Sequence, residues 1–229
     1  MLSVNIMPYK LVIFDVDGTL YKFEDRITSF LDTPMYKKIK KNAASFLSSK
    51  KKIDLEEAKK IIEDIYLRYK TDISIGLEKE FGIPKKEYFN NVWNIDASKY
   101  IKYNPKLRET INSLDCKKAV LSNAPPVWIN SILSQLKIQD LFDKKWTGDG
   151  KIRKPSREAY LTVCEYFESE PSECIMIDDD QGYLEAAKKL GMTTVFISPN
   201  SDTIIGKADY SIKEISEIKE INGIFITYD

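Results

Sequence analysis

Asp15 and Asp17 stand two residues apart at the end of an apolar run, in residues 11–21, LVIFDVDGTLY. A carboxylate carried to the tip of a buried run is costly unless it is paired or binds something. Polar residues of matching kinds close other apolar runs of the chain. Ser122 and Asn123 end the run beginning at residue 118, and Asp178, Asp179 and Asp180 end the run beginning at residue 174. Lys154 stands immediately before Pro155, where a helical pattern begins. The chain has no histidine, which excludes Ser-His-Asp triads, Cys-His pairs, histidine-ligated zinc and imidazole acid–base chemistry. What remains is chemistry by carboxylates, hydroxyls, lysines or a metal held by oxygen.

If the apolar runs are adjacent parallel strands, Asp15, Asp17, Ser122, Asn123, Asp178 and Asp179 converge on one sheet edge, with Lys154 entering from a loop. Two carboxylates ~4 Å apart repel by about 4 kcal/mol at an effective dielectric of ~20. An anionic substrate would add to that repulsion, and one lysine is too little to offset it. A divalent cation with oxygen ligands resolves the conflict, and carboxylates with a backbone carbonyl suit Mg²⁺. The expected roles then separate. Asp15, at the strand tip, is the carboxylate nucleophile toward a phosphoryl group. Asp17 projects to the same side and serves as general acid, then general base. Gly18 permits a turn whose backbone N–H groups hold phosphate oxygens, and Ser122 and Lys154 complete the grip, with Asn123 a further substrate-binding candidate. Asp179, with Asp15 and the Asp17 carbonyl, is the expected metal-holding set, and Asp178 is a further candidate.

The elements that must position these residues are legible as short Val- and Ile-rich runs at residues 10–16, 118–122, 174–177 and 193–197. Weaker ones lie at 208–212 and 224–227. Near-continuous apolar character marks parallel strands buried on both faces. Helical patterns at 105–114, 127–136, 155–167 and 183–190 separate them, so the expected class is α/β, a doubly wound parallel sheet. Residues 21–100 break the rhythm and read as helices at 34–47, from a capping signal at Asp54 to Tyr69, at 73–81 and at 85–92. This gives an α/β core of 1–20 and 101–229 with an all-helical cap, 21–100, over the carboxyl ends of the strands, where ligands of such sheets bind. Lys37, Lys38, Lys40, Lys41, Lys50, Lys51 and Lys52 within the insertion read as a solvated face.

Composition sets the outer bounds. The 229 residues carry 35 basic and 35 acidic side chains, so no net field draws the chain to nucleic acid or an anionic membrane. No apolar run reaches the ~18 residues of a membrane span. The first residues, MLSVNIMPYK, lack a signal-peptide pattern. Cys116, Cys164 and Cys174 show neither paired nor zinc-type spacing and read as small core residues in a reducing cytoplasm. Tyr66, Trp93, Trp128 and Trp146 read as packing residues.

The segments FDVDGTLY, the Ser122-Asn123 strand end, KPSREAY and MIDDDQGYLEAAKKLGMTTV resemble, in order and spacing, the four signature segments of the haloacid dehalogenase (HAD) superfamily. Within it, YLRYKTDISIGLEKEFGIPKKEYFNNVWNID and SNAPPVWINSILSQLKIQDLFD, with the double aspartate of the fourth segment, are similar to the pyrimidine 5′-nucleotidase subgroup. The resemblance implies a Mg²⁺-dependent phosphomonoesterase acting through an aspartyl-phosphate on a small phosphorylated substrate, a nucleoside monophosphate among the candidates. By position it assigns Asp15 as nucleophile, Asp17 as acid/base, Thr19 to the phosphate loop, Ser122 and Lys154 to phosphate, and Asp179 to the metal.

Two residues depart from the subgroup pattern. Asp180 replaces its usual Ser, and Tyr183 stands where an Asn or Asp anchors metal water or the lysine. Losing such an anchor costs some ~10–100-fold, and Asp180 is the candidate to compensate. Tyr183 is also the support for an alternative reading, a non-catalytic sensor or scaffold of the same fold. A 2-haloacid dehalogenase is a further alternative, against which Asp17 argues, because those relatives lack an acid there and need no metal.

Overall fold

A computed structural model describes residues 4–6, 9–22, 30–69, 72–198, 208–221 and 226–228. In chain order its elements are β1 (Val4–Ile6), β2 (Leu11–Phe14), α1 (Pro34–Lys51), α2 (Leu55–Arg68), α3 (Ile73–Phe81), α4 (Lys85–Val92), α5 (Pro105–Asn112), β3 (Lys117–Leu121), α6 (Pro126–Gln135), β4 (Lys144–Trp146), α7 (Arg157–Tyr166), β5 (Cys174–Asp178), α8 (Gln181–Lys188), β6 (Thr193–Ile197), β7 (Tyr210–Ile212) and β8 (Ile226–Tyr228). Residues 23–29, within the expected insertion, and residues 224 and 225, at the start of the last expected strand, lie outside the described residues.

The main sheet has six parallel strands in the order β4-β3-β2-β5-β6-β7. Each central strand is buried on both faces. Leu11 and Ile13 point into a core with Ala159, Tyr160 and Val163 of α7 and Leu184 and Ala187 of α8. Val12 and Phe14 point into the opposite core, with Leu107 and Ile111 of α5 and Trp128, Ile129 and Ile132 of α6. This two-sided burial is why β2 reads as unbroken apolar sequence rather than alternation. Phe14 lies opposite Val120 on one side and Ile177 on the other. The register therefore delivers Asp15 and Asp178 side by side at the next position, and the Asp15 N–H continues the ladder onto the Ile177 carbonyl at 3.0 Å.

Two strands had no clear apolar signal. β4 is Lys-Lys-Trp at the sheet edge, and β1 pairs antiparallel with β8 as a separate two-stranded sheet. Two helix starts also differ from expectation. Pro155 precedes the helix instead of opening it; Ser156 is the N-cap, its side chain accepting from the Ala159 N–H, and α7 begins at Arg157. α8 begins two residues early because Asp180 caps it, accepting from the Gly182 and Tyr183 N–H groups.

Between β2 and α5, the described residues hold four α-helices and short 3₁₀ turns, compatible with an inserted helical cap. Thr33 caps α1 and Asp54 caps α2 through side-chain oxygens, as Ser, Thr and Asp do where the first N–H groups lack partners. Ile39, Ala43 and Leu47 of α1 meet Ala58, Ile62 and Ile65 of α2 in one apolar core. Leu55, the first residue of α2 and one past the cap, is 40% exposed. All seven lysines of the expected solvated cluster are exposed. The cysteines differ in part from expectation: Cys116 is half-buried, but Cys164 and Cys174, unpaired in spacing, are buried with their Sγ atoms 3.6 Å apart.

Candidate active site

The carboxyl ends of β2, β3 and β5 meet where neighbouring crossovers leave the sheet in opposite directions, the usual ligand position of such sheets. Asp15 follows β2, Ser122 follows β3, and Asp178 closes β5. Lys154 reaches in between them. Its Nζ, with the side chain fully enclosed, donates to Asp15 Oδ1 at 2.6 Å and to Asp178 Oδ2 at 2.6 Å. Asp178 also accepts from the Asp180 N–H at 2.9 Å. Carboxylate oxygens of Asp15, Asp178 and Asp179 lie within 4.8 Å of one another.

Burial raises all three carboxyls above the ordinary aspartate range. For Asp15 it outweighs the Lys154 charge; Asp178 reaches about 7 and Asp179 about 9, pushed by burial first and then by neighbouring carboxylates. Burial opposes the charge on Lys154 too, yet Asp15 and Asp178 together hold its pKa above that of an ordinary lysine. With one ammonium among three carboxyl groups, full ionisation would leave net negative charge that only a further cation can offset, and the donors are all hard oxygens. That set fits a divalent cation such as Mg²⁺.

The Asp17 carboxylate lies outside this trio. Its Oδ1 accepts from the Tyr21 hydroxyl at 2.6 Å and from the Trp128 indole N–H at 2.9 Å. Its pKa is pushed up to about 6 by burial and by Asp15, and restrained by those two hydrogen bonds. Gly18, between Asp17 and Thr19, has φ 83°, the left-handed region where glycine carries no steric cost. The Thr19 and Leu20 N–H groups turn back onto the Val16 carbonyl. Thr19 is buried. The buried Ser122 hydroxyl accepts from the Ala124 N–H at 3.2 Å.

Asn123 brackets Lys154. Its Oδ1 accepts from the Lys154 N–H at 3.0 Å, and its Nδ2 donates to the Lys154 carbonyl at 2.9 Å and to the Tyr183 hydroxyl at 3.1 Å. Asp180, exposed at the rim, has its side chain engaged as the α8 cap.

A cavity of about 680 Å³ opens over this edge. Its lining includes Asp15, Ser122, Lys154 and Asp179 from the strand ends and Tyr36, Phe89 and Trp93 from the helices after β2. Arg153 crosses between the layers: its guanidinium pairs with Asp72, the N-cap of α3, and donates to the Asn123 carbonyl at 3.2 Å.

Four residues that the sequence reading did not assign thus belong to the site's framework: Tyr21, Trp128, Arg153 and Asp72. Trp128, taken as packing, is fully buried as expected, and the missed signal is that a buried indole N–H requires an acceptor.

The model of the haloacid dehalogenase-like hydrolase family matches residues 9–191, and the chain belongs to that family. It is 30% identical over 102 residues to validoxylamine A 7′-phosphate phosphatase of Streptomyces hygroscopicus subsp. limoneus, an overlap of 44% of this chain and 48% of that protein. The match therefore spans about half the length of the curated relative. Among solved structures, a HAD phosphatase from Thermococcus onnurineus superposes with TM-score 0.67 at 25% identity, covering 93% of this chain and 98% of that one. A 2-haloacid dehalogenase from Pseudomonas syringae pv. Tomato DC3000 superposes with TM-score 0.64 at 18% identity, covering 93% and 97%, a likeness of fold alone.

Proposed function

We propose that this hydrolase is a Mg²⁺-dependent phosphomonoesterase that works through an aspartyl-phosphate. The observation that carries the reading is the convergence of Asp15, Asp178 and Asp179 around Lys154 at one sheet edge. Asp15, Asp179 and the Asp17 carbonyl would hold the metal, with Asp178 beside them. The ion, when bound, offsets the carboxylate repulsion and polarises the phosphoryl group.

Asp15 attacks phosphorus as the bond to the ester oxygen breaks, and Asp17 delivers its proton to the departing alkoxide. Asp17 then takes a proton from water as that water attacks the phosphorus of the aspartyl-phosphate. Orthophosphate leaves and the Asp15 carboxylate is restored. A pKa of about 6 lets Asp17 exchange a proton in both directions near neutrality. Ser122 and Lys154 hold the phosphoryl oxygens; the Thr19 and Leu20 N–H groups of the turn at Gly18 already donate to the Val16 carbonyl.

In this reading the helices between β2 and α5 form the cap, and the aromatic residues they add to the cavity lining receive the leaving group. Tyr36, Phe89 and Trp93 support a substrate with a flat apolar face, a nucleoside monophosphate among small phosphorylated metabolites. The cysteine usage keeps a cytoplasmic setting part of the proposal.

The test is hydrolysis of p-nitrophenyl phosphate with Mg²⁺ and with EDTA, from about pH 5 to about pH 9. Wild-type turnover abolished by EDTA, and a folded but inactive Asp15→Asn variant, are expected. Full activity of that variant, or turnover indifferent to chelation, would end the proposal.

A further inference from the structure

Tyr183 occupies the position where the subgroup pattern has an Asn or Asp, and nothing in the chemistry above uses it. Its surroundings are specific. The Lys154 Nζ lies 4.8 Å from the centre of the Tyr183 ring. The Tyr183 hydroxyl accepts from Asn123, which also bonds both main-chain polar groups of Lys154. The Tyr183 carbonyl accepts from the buried Tyr160 hydroxyl at 2.8 Å, and its N–H is held by Asp180. The ring is therefore fixed at its main chain and at its tip, with a buried ammonium over its face.

We propose that Tyr183 and Asn123 form an aromatic seat that positions Lys154 for the phosphoryl group; the idea rests on the phosphatase reading above. An ammonium has three donors, and two of Lys154's go to Asp15 and Asp178. A carboxylate or amide in place of Tyr183 would offer another oxygen acceptor for the third. The ring face attracts the charge through its quadrupole without binding a proton, so one N–H stays available to a phosphoryl oxygen. Asn123 acts on the same lysine by fixing its main chain, and its amide is engaged there rather than turned to substrate. Both are positioning residues.

The experiment compares Tyr183→Phe and Tyr183→Leu with the wild type. Phe keeps the ring and loses only the link to Asn123, so its KM should stay close to wild type. Leu removes the ring face, and the KM for p-nitrophenyl phosphate and the inhibition constant of orthophosphate should both rise about 5- to 30-fold, kcat moving less. A second readout needs no turnover: the ε-CH₂ protons of Lys154, bonded to the carbon next to the nitrogen that lies over the ring, should resonate upfield in wild type and Phe and lose that shift in Leu.

Equal weakening by Phe and Leu, unchanged orthophosphate affinity in folded Leu protein, or a Lys154 shift indifferent to the ring would overturn the proposal. A wild type inactive on every ester overturns the phosphatase reading; the seat is then decided by the Lys154 shift alone.

Discussion

The Trp128 indole N–H points at Asp17 Oδ1 across 2.9 Å, tying the α6 helix to the residue proposed to move protons. With the Tyr21 hydroxyl on the same oxygen, it fixes one edge of the carboxylate and leaves Oδ2 as the edge for proton transfer. Hydrogen bonds to a charged group contribute about 1.5–3 kcal/mol. Trp128→Phe and Tyr21→Phe should each lower kcat roughly 10-fold, with a smaller change in KM. Both donors hold the Asp17 pKa down, so each substitution should move the corresponding limb of the kcat–pH profile to higher pH. A profile unmoved in both variants would remove Asp17 from the proton-transfer role.

Gly148 approaches the main chain of the β3 end very closely. A Cβ there would lie 1.8 Å from the Asn123 carbonyl oxygen and 2.5 Å from its carbon, and the Gly148 N–H already bonds the Ala124 carbonyl at 2.8 Å. No side-chain rotation relieves a clash with main chain. Gly148→Ala should therefore destabilise the fold by about 1–3 kcal/mol. It should also impair turnover by displacing the strand end that carries Ser122 and Asn123. Denaturant titration and kinetics on the same preparation check both, and a variant equal to wild type in each would refute the crowding.

Stability in acid should depend on a pair far from the active site. Arg108 of α5 grips Asp140 through two bonds of 2.7 Å, and this holds the Asp140 carboxyl at about 2, below its ordinary 3.8. A lowered folded-state pKa stabilises the protein above the unfolded-state value and is lost as pH falls through the folded one. Asp140→Asn should thus lower Tm modestly near neutrality, with the difference from wild type shrinking below about pH 4 and mostly lost by about pH 2. A difference that persists at the acid end would mean the effect is not the ion pair.

How much was legible beforehand follows from where each signal resides. β2, β3, β5 and β6 announced themselves because burial on both faces demands continuous apolar residues. β4 did not, because an edge strand of Lys-Lys-Trp has only one side to cover. The acidic residues at strand tips were readable for an energetic reason, since carboxylates there conflict with burial unless they serve a purpose. Trp128, Tyr21, Arg153 and Asp72 were not readable. Their roles come from hydrogen bonds between residues as far as 111 positions apart, and a tryptophan in a helical pattern looks the same whether or not its N–H meets an acid. Tyr183 sat between these cases. Its departure from pattern was visible, but its place beneath Lys154 required coordinates.

The Arg153–Asp72 pair also bears on how the enclosure over the site could open. Asp72 starts α3, and Arg153 is joined to Lys154 by a single peptide bond. Any swing of α3 away from the sheet must either break this tether or pull the lysine's own main chain along with it. The pair thus joins the start of α3 to the peptide that carries the site's lysine, a mechanical link running from the helical layer to the strand ends.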